Sequence, residues 1–297
     1  MTELKSATLC VLGCGNLGTA IISSLASNPP TINNSAVFTR FIACVRTQGS
    51  ENRLKERLSH LENLSISRNN NIKAIDDSAV IILATDPADV ERVLTQTGFR
   101  DAITDKLLIS VAAGWTQQRL YTTLYGNNTP RARVVRTLPN IAALVSQSLT
   151  AVENSMDSPL SPESAEITDA IFNRIGRTVH VSPTQIEAIT AVGGSTPAFF
   201  AVIVDAMIDA AVAVGLPRDL AHTAVFQAMQ GTAGILQSGT HPALLKDQGT
   251  SPEGCTIGGL MVLEEAGVRG HVGKALREAV TVARLMGKVP HVNDTRQ

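Results

Sequence analysis

With 297 residues, 44% of them apolar and only 17% charged, the chain is long enough for about two domains, each with a core that needs no disulfides. Its 25 basic and 26 acidic side chains leave no charge excess to draw it onto nucleic acid or an anionic membrane surface, so a small-molecule partner is expected. Cys10, Cys14, Cys44, Cys255 and six scattered histidines have neither zinc-site spacing nor the density of a secreted scaffold, which predicts no metal and a reducing, cytoplasmic setting.

From Met1 to Thr8 no basic segment leads into an apolar run of signal length, because Val11 and Leu12 give way at once to Gly13. Short Val/Ile/Leu-rich runs then recur with helix-like segments between them, the pattern of parallel strands joined by crossover helices. Strands are expected over 7–12, 41–45, 79–84, 107–112 and 133–137. The first runs into Gly13-Cys14-Gly15-Asn16-Leu17-Gly18 and a helix starting near Asn16, the context in which three glycines bind a dinucleotide. Gly13 makes the tight turn, Gly15 lets backbone N–H groups approach a pyrophosphate, and Gly18 lets helix and strand pack closely, while the helix N-terminus attracts the phosphate charge.

The end of the second strand reads Cys44-Val45-Arg46-Thr47, with no acidic residue before Glu51. A carboxylate there would accept from the adenosine ribose hydroxyl; Arg46, with Thr47 beside it, suits a 2′-phosphate and favours NADPH over NADH. Asn69-Asn70-Asn71 reads as a loop. Ser161, Pro162 and Glu163 open a helix over about 162–175, with serine as cap and proline at the first position. A last short strand is expected over 178–181, and Ser182-Pro183 breaks the chain.

Beyond Thr184 only helical patterns follow, to about Met286. The apolar run 197–216 is interrupted by Asp205 and Asp209 and reads as a buried helix of a soluble protein. So much apolar surface at so low a charge content also predicts an oligomer.

Several segments together carry a family resemblance. They are the glycine loop, Ser110-Val111-Ala112-Ala113-Gly114, Arg136-Thr137-Leu138-Pro139-Asn140, Gly194-Ser195-Thr196-Pro197-Ala198, Gly215-Leu216-Pro217-Arg218 and Thr250-Ser251-Pro252-Glu253-Gly254-Cys255-Thr256-Ile257. From Leu9 to Gly287 the chain resembles the pyrroline-5-carboxylate reductases. The resemblance implies an α/β fold, a Rossmann-like doubly wound NADP-binding domain over 1–182 followed by an all-α dimerisation and substrate domain over 183–297. It implies hydride transfer from NADPH to the C=N bond of 1-pyrroline-5-carboxylate, giving L-proline. It also implies a homodimer with intertwined C-terminal helices, with assembly into a ring as a further step.

Carried over residue by residue, Ala84, Thr85, Pro87, Ala112, Ala113 and Gly114 would line the cofactor site. Ser251, with backbone groups through Gly254 and Cys255, would hold the substrate carboxylate, the Thr256 hydroxyl would bond the imine nitrogen, and Asn140 and Ser195 would be further wall residues. A protonated imine needs little acid–base machinery, so positioning and electrostatics carry the expected chemistry. Cys255 reads as a small packed residue and not a redox switch.

The chain departs from the family pattern at five positions. Asp86 stands where a lysine precedes proline, Ile141 replaces a threonine, Gly193 and Thr196 alter the entry to the long helix, and Glu253 replaces a glycine. Two alternatives follow from these departures: a paralogue reducing a methylated pyrroline carboxylate or a piperideine carboxylate in a specialised pathway, and a catalytically inactive NADPH-binding sensor. A β-hydroxyacid dehydrogenase is disfavoured, since 197–214 holds no lysine.

Overall fold

The computed structural model describes residues 7–156 and 159–286. The expectations for Met1 to Ser6, and Gly287 at the end of the resemblance, lie outside the described residues. The chain forms two compact units, one built on residues up to Gly194 and rejoined from Val280, the other Ser195–Ala279.

The first unit is a doubly wound α/β layer structure. Its strands are β1 (Ala7–Leu12), a small hairpin of β2 (Thr31–Ile32) and β3 (Ser35–Ala36), β4 (Phe38–Val45), β5 (Leu64–Arg68), β6 (Val80–Leu83), β7 (Leu107–Ser110), β8 (Arg133–Leu138), β9 (Ser148–Glu153) and β10 (Gly176–Val181). The main sheet has the order β10-β9-β8-β7-β6-β1-β4-β5. Its pairs are parallel except β8 with β9.

Alternate side chains of the central strands serve two cores. Leu9, Val11, Val80, Ile82, Leu107 and Ile109 pack on one face with Ile21, Leu25 and Phe41; Cys10, Leu12, Ile81, Leu83 and Leu108 pack on the other with Phe99 and Leu120. Burial on both faces is why these strands are continuous apolar runs. Helices α1 (Asn16–Ser27), α2 (Gln48–Leu58), α3 (Asn71–Asp76), α4 (Val90–Leu94), α5 (Phe99–Ala102), α6 (Gln117–Tyr125) and α7 (Pro162–Phe172) complete the layers. As expected, the Ser161 hydroxyl caps α7 by accepting from the Ser164 N–H, with Pro162 at its first position.

The structure corrects the reading of the long helix. The expected opening was Gly194 to Pro197, yet α8 runs unbroken over Ile186–Ala213 with Gly193, Gly194 and Pro197 inside it. Four strands, β5 and β9 of the main sheet and β2 and β3 of the small hairpin, were not anticipated, and Asn71 begins α3 while Asn69 and Asn70 stay in the loop.

The second unit continues α8 and adds α9 (Arg218–Gln237), α10 (Pro242–Gln248), α11 (Cys255–Glu265) and the greater part of α12 (Val268–Leu285). It buries Ile208 and Ala221 but leaves Phe200, Met207, Phe226, Met261 and Val262 exposed. The expectation of a buried apolar helix therefore fails for the single protomer. By length and composition α8 could even cross a membrane, and its most apolar window is only 6% buried.

Candidate active site

The turn between β1 and α1 divides its work among the three glycines. Gly13 adopts φ +93°, and a β-carbon there would lie 2.8 Å from the Ala84 carbonyl oxygen and the Thr85 nitrogen. Its N–H and that of Cys14 donate to the Cys44 carbonyl, which pins the turn to the end of β4. At Gly18 a β-carbon would collide with the Gly13 carbonyl, so only glycine lets the helix start this close to the strand. Gly15 differs from both, because nothing lies within 4 Å of its missing β-carbon. It is the N-terminal cap of α1 and offers no side-chain cap, so the first-turn N–H groups at Asn16, Leu17 and Gly18 have no partner within the helix.

These residues floor a cleft of about 920 Å³. Arg46, Thr47, Ala84, Thr85, Pro87, Ala112 and Ala113 line it, and Gly114 follows at φ +74°. The Thr85 hydroxyl oxygen is buried without a hydrogen-bond partner among the described residues, an orphan a bound polar group would satisfy. Asp86, the residue in place of a lysine, accepts from the Ala88 N–H at 2.9 Å and caps the short turn Pro87–Asp89. Across the rim, the Trp115 indole donates to the Pro87 carbonyl at 2.9 Å and fixes one wall loop against the other.

Arg46 leaves the end of β4 with its side chain 66% exposed and reaches Asp89 at 3.3 Å. Arg92 holds the same carboxylate at 2.8 Å and, more than Arg46, keeps it below the usual carboxylate range. Among the lining residues that sequence reasoning missed are Ser50 and Arg53. Thr47 caps α2 by accepting from the Ser50 N–H, and the Arg53 guanidinium donates to the Ser50 hydroxyl at 3.0 Å. The available signal was helical spacing, since positions three and six beyond Thr47 fall on one side of α2.

Three thiols cluster beneath this floor. Cys10, Cys14 and Cys44 are buried, and desolvation pushes the Cys14 thiol up to about 12. They are packing groups. No cluster of metal-ligating side chains occurs among the described residues.

Asn140 does not present a free side chain. Its Oδ1 accepts from the Ala142 N–H at 3.1 Å and its Nδ2 donates to the Gly193 carbonyl at 2.7 Å, so the expected wall residue is engaged at both ends by backbone. Nearby, Arg136 is only 3% exposed and pairs with Glu153 at 2.9 Å and Glu187 at 3.3 Å, tying β8 to β9 and to the first turn of α8.

In the second unit, Ser251 to Gly254 form a tight turn closed by the Gly254 N–H donating to the Ser251 carbonyl at 3.0 Å. That N–H is therefore already engaged. The unbonded amides are those that follow, at Cys255, Thr256 and Ile257 in the first turn of α11, which Gly254 caps without a side chain. The Ser251 hydroxyl oxygen lies 2.6 Å from where a Gly254 β-carbon would be, so a larger residue there would turn that hydroxyl aside. Glu253 sits at φ +59°, the left-handed region where the resemblance expects glycine, and its side chain is exposed. Cys255 is exposed in the protomer, which corrects the expectation of a packed residue. Thr256 is also exposed, and Ser195 is half-buried within α8.

Comparison with known proteins matches both halves of the chain. Residues 8–114 fit the family of NADP oxidoreductases, coenzyme F420-dependent, and residues 183–286 fit the pyrroline-5-carboxylate reductase dimerisation family. A pyrroline-5-carboxylate reductase of Lophium arboricola is 42% identical over 99% of this chain and 98% of its own. The chain belongs to the pyrroline-5-carboxylate reductase family. The solved reductase of Coxiella burnetii agrees, with a TM-score of 0.79 at 26% identity over 96% of this chain and all of that one. That of Plasmodium falciparum, solved with NADP bound, has a TM-score of 0.79 at 22% identity, covers 96% of this chain and 100% of its own, and speaks to the fold alone. Membership also accounts for the bare apolar helices of the second unit. They fall in the dimerisation match, so their cover is a second copy of the chain.

Proposed function

We infer that this enzyme reduces 1-pyrroline-5-carboxylate to L-proline with NADPH, as a cytoplasmic homodimer that assembles further into a ring. The observation that carries the reading is the cleft at the β1–α1 turn, where an open Gly15, an uncapped helix start and the orphaned Thr85 hydroxyl suit a dinucleotide diphosphate. NADPH supplies the hydride when bound. The first-turn N–H groups of α1 hold its pyrophosphate, and Arg46, Thr47, Ser50 and Arg53 hold its 2′-phosphate, for which Arg46 can leave Asp89 because Arg92 remains to neutralise that carboxylate.

The Ser251 hydroxyl and the free amides at the start of α11 hold the substrate carboxylate, and the Thr256 hydroxyl orients the ring nitrogen. Because the imine reacts protonated, no side chain has to deliver a proton to it. The exposed Glu253 carboxylate avoids the cost of a second negative charge when its side chain points away from the carboxylate site.

The test is NADPH oxidation followed by absorbance with 1-pyrroline-5-carboxylate, its methylated analogue and the two piperideine carboxylates in parallel. Fast turnover of the unsubstituted pyrroline is expected. Turnover of an analogue alone would overturn the substrate, and NADPH binding without turnover on any of them would overturn the activity.

A further inference from the structure

A proline inside a helix removes the N–H that would bond the carbonyl four residues earlier and pushes its ring toward that carbonyl. In α8 the proline is Pro197, and the carbonyl it strips of its partner belongs to Gly193. That is the carbonyl to which the Asn140 side chain donates at 2.7 Å. The other end of the same amide accepts from the Ala142 N–H, and since one partner only accepts and the other only donates, the amide can face just one way. Asn140 is itself held, its N–H donating to the Ser148 hydroxyl at 3.0 Å. The Arg136–Glu187 pair ties the first turn of α8 to β8, the strand that leads into Asn140, so this stretch of helix is fastened at two levels.

We propose that Asn140 is a positioning residue that stands in for the helix N–H missing at Pro197 and so fixes the backbone path through Gly193, Gly194 and Ser195. It acts through Ser195, a wall residue of the imine site if the residue-by-residue carry-over from the family and the function inferred above hold, and it touches neither substrate nor cofactor. The pairing also explains how the helix passes straight through a Gly-Gly-Ser-Thr-Pro sequence that would ordinarily end or begin one.

The proposal makes Asn140 and Pro197 energetically coupled, which a double-mutant cycle reads directly. Asn140→Ala, Asn140→Asp and Pro197→Ala are made singly and in both combinations, and thermal midpoints and steady-state constants are measured on the full chain. With Pro197 present, Asn140→Ala raises KM for the imine by about 3- to 10-fold, the worth of one hydrogen bond, and leaves KM for NADPH within about twofold. Asn140→Asp keeps the oxygen that serves Ala142 but turns an acceptor toward the Gly193 carbonyl, and is at least as harmful. With Pro197→Ala the helix regains its own N–H, so Asn140→Ala costs less in both KM and thermal midpoint than it does with Pro197 present, whereas Asn140→Asp stays harmful because its oxygen still faces the Gly193 carbonyl. Equal losses from Asn140→Ala in the two backgrounds overturn the proposal. The thermal cycle decides this without turnover, so a wild-type enzyme inactive on every imine would overturn the functional reading and leave the clamp to be judged by its own measurement.

Discussion

Replacing Gly15 by alanine separates cofactor binding from folding. Gly15 has φ −73°, which alanine adopts freely, and a β-carbon there meets nothing within 4 Å. Losing a glycine cap costs a few tenths to about 1 kcal/mol, and the smaller unfolded-state entropy of alanine returns about 0.4–1 kcal/mol. Thermal stability is therefore expected to move by no more than a few degrees. The new methyl group occupies the space through which a pyrophosphate reaches the first-turn N–H groups of α1. Forcing a methyl into a filled contact costs about 1–3 kcal/mol, so the dissociation constant for NADPH should rise by roughly 10- to 100-fold. Trp115 is the only tryptophan and lies buried beside the cleft with its indole on Pro87, so energy transfer from its emission to the reduced nicotinamide reports binding. Gly18→Ala is the contrast, since its β-carbon collides with the Gly13 carbonyl and both stability and binding should fall. Wild-type affinity in Gly15→Ala would refute the placement of the phosphates, and a large loss of stability would refute the open space.

Arg46→Ala should raise KM for NADPH by about 10- to 100-fold, the worth of a charge-assisted hydrogen bond, and leave KM for NADH nearly unchanged; equal effects on both would remove the 2′-phosphate from that site. Thr256→Ala should lower turnover by about 10- to 100-fold with NADPH affinity intact, as for a lost positioned hydrogen bond, and an unaltered rate would exclude its hydroxyl from the site. Glu253→Gly should stabilise the protein by about 0.5–1 kcal/mol in denaturant titration at fixed protein concentration, because it relieves a left-handed backbone at the cost of a more flexible unfolded chain. Burial raises the Cys14 thiol to about 12, so between pH 9 and 12 the unfolded state loses that proton while the folded state keeps it. The associated stability is complete below pH 9 and declines by up to about 1.4 kcal/mol per unit as the pH climbs; Cys14→Ala should flatten that part of the curve.

The cofactor half of the site was legible because its chemistry is written in adjacent residues. A tight turn, an open approach and a close packing contact all fall within Gly13 to Gly18, and strands buried on both faces announce themselves as apolar runs. Strand β5, Leu-Ser-Ile-Ser-Arg at the sheet edge, did not, since two of its five side chains are exposed and none is fully buried. The start of α8 was misread for a different reason. Gly-Gly-Ser-Thr-Pro is a sound local signal for a helix beginning, and it is overridden by an amide group 53 residues earlier in the chain. The commitment of the Gly254 N–H to its own turn is likewise a matter of backbone geometry that residue types alone do not disclose.

The helices that leave Phe200, Phe226 and Met261 bare impose an order of events on the newborn protein. A chain whose second core is completed by another copy cannot finish folding alone, so its last step is bimolecular and its apparent stability scales with protomer concentration. Dilution, more than heat, becomes the gentle way to take the enzyme apart. Until two copies meet, the 28 apolar-rich residues of α8 are a liability that translation must carry, exposed to any lipid surface or chaperone that finds them first.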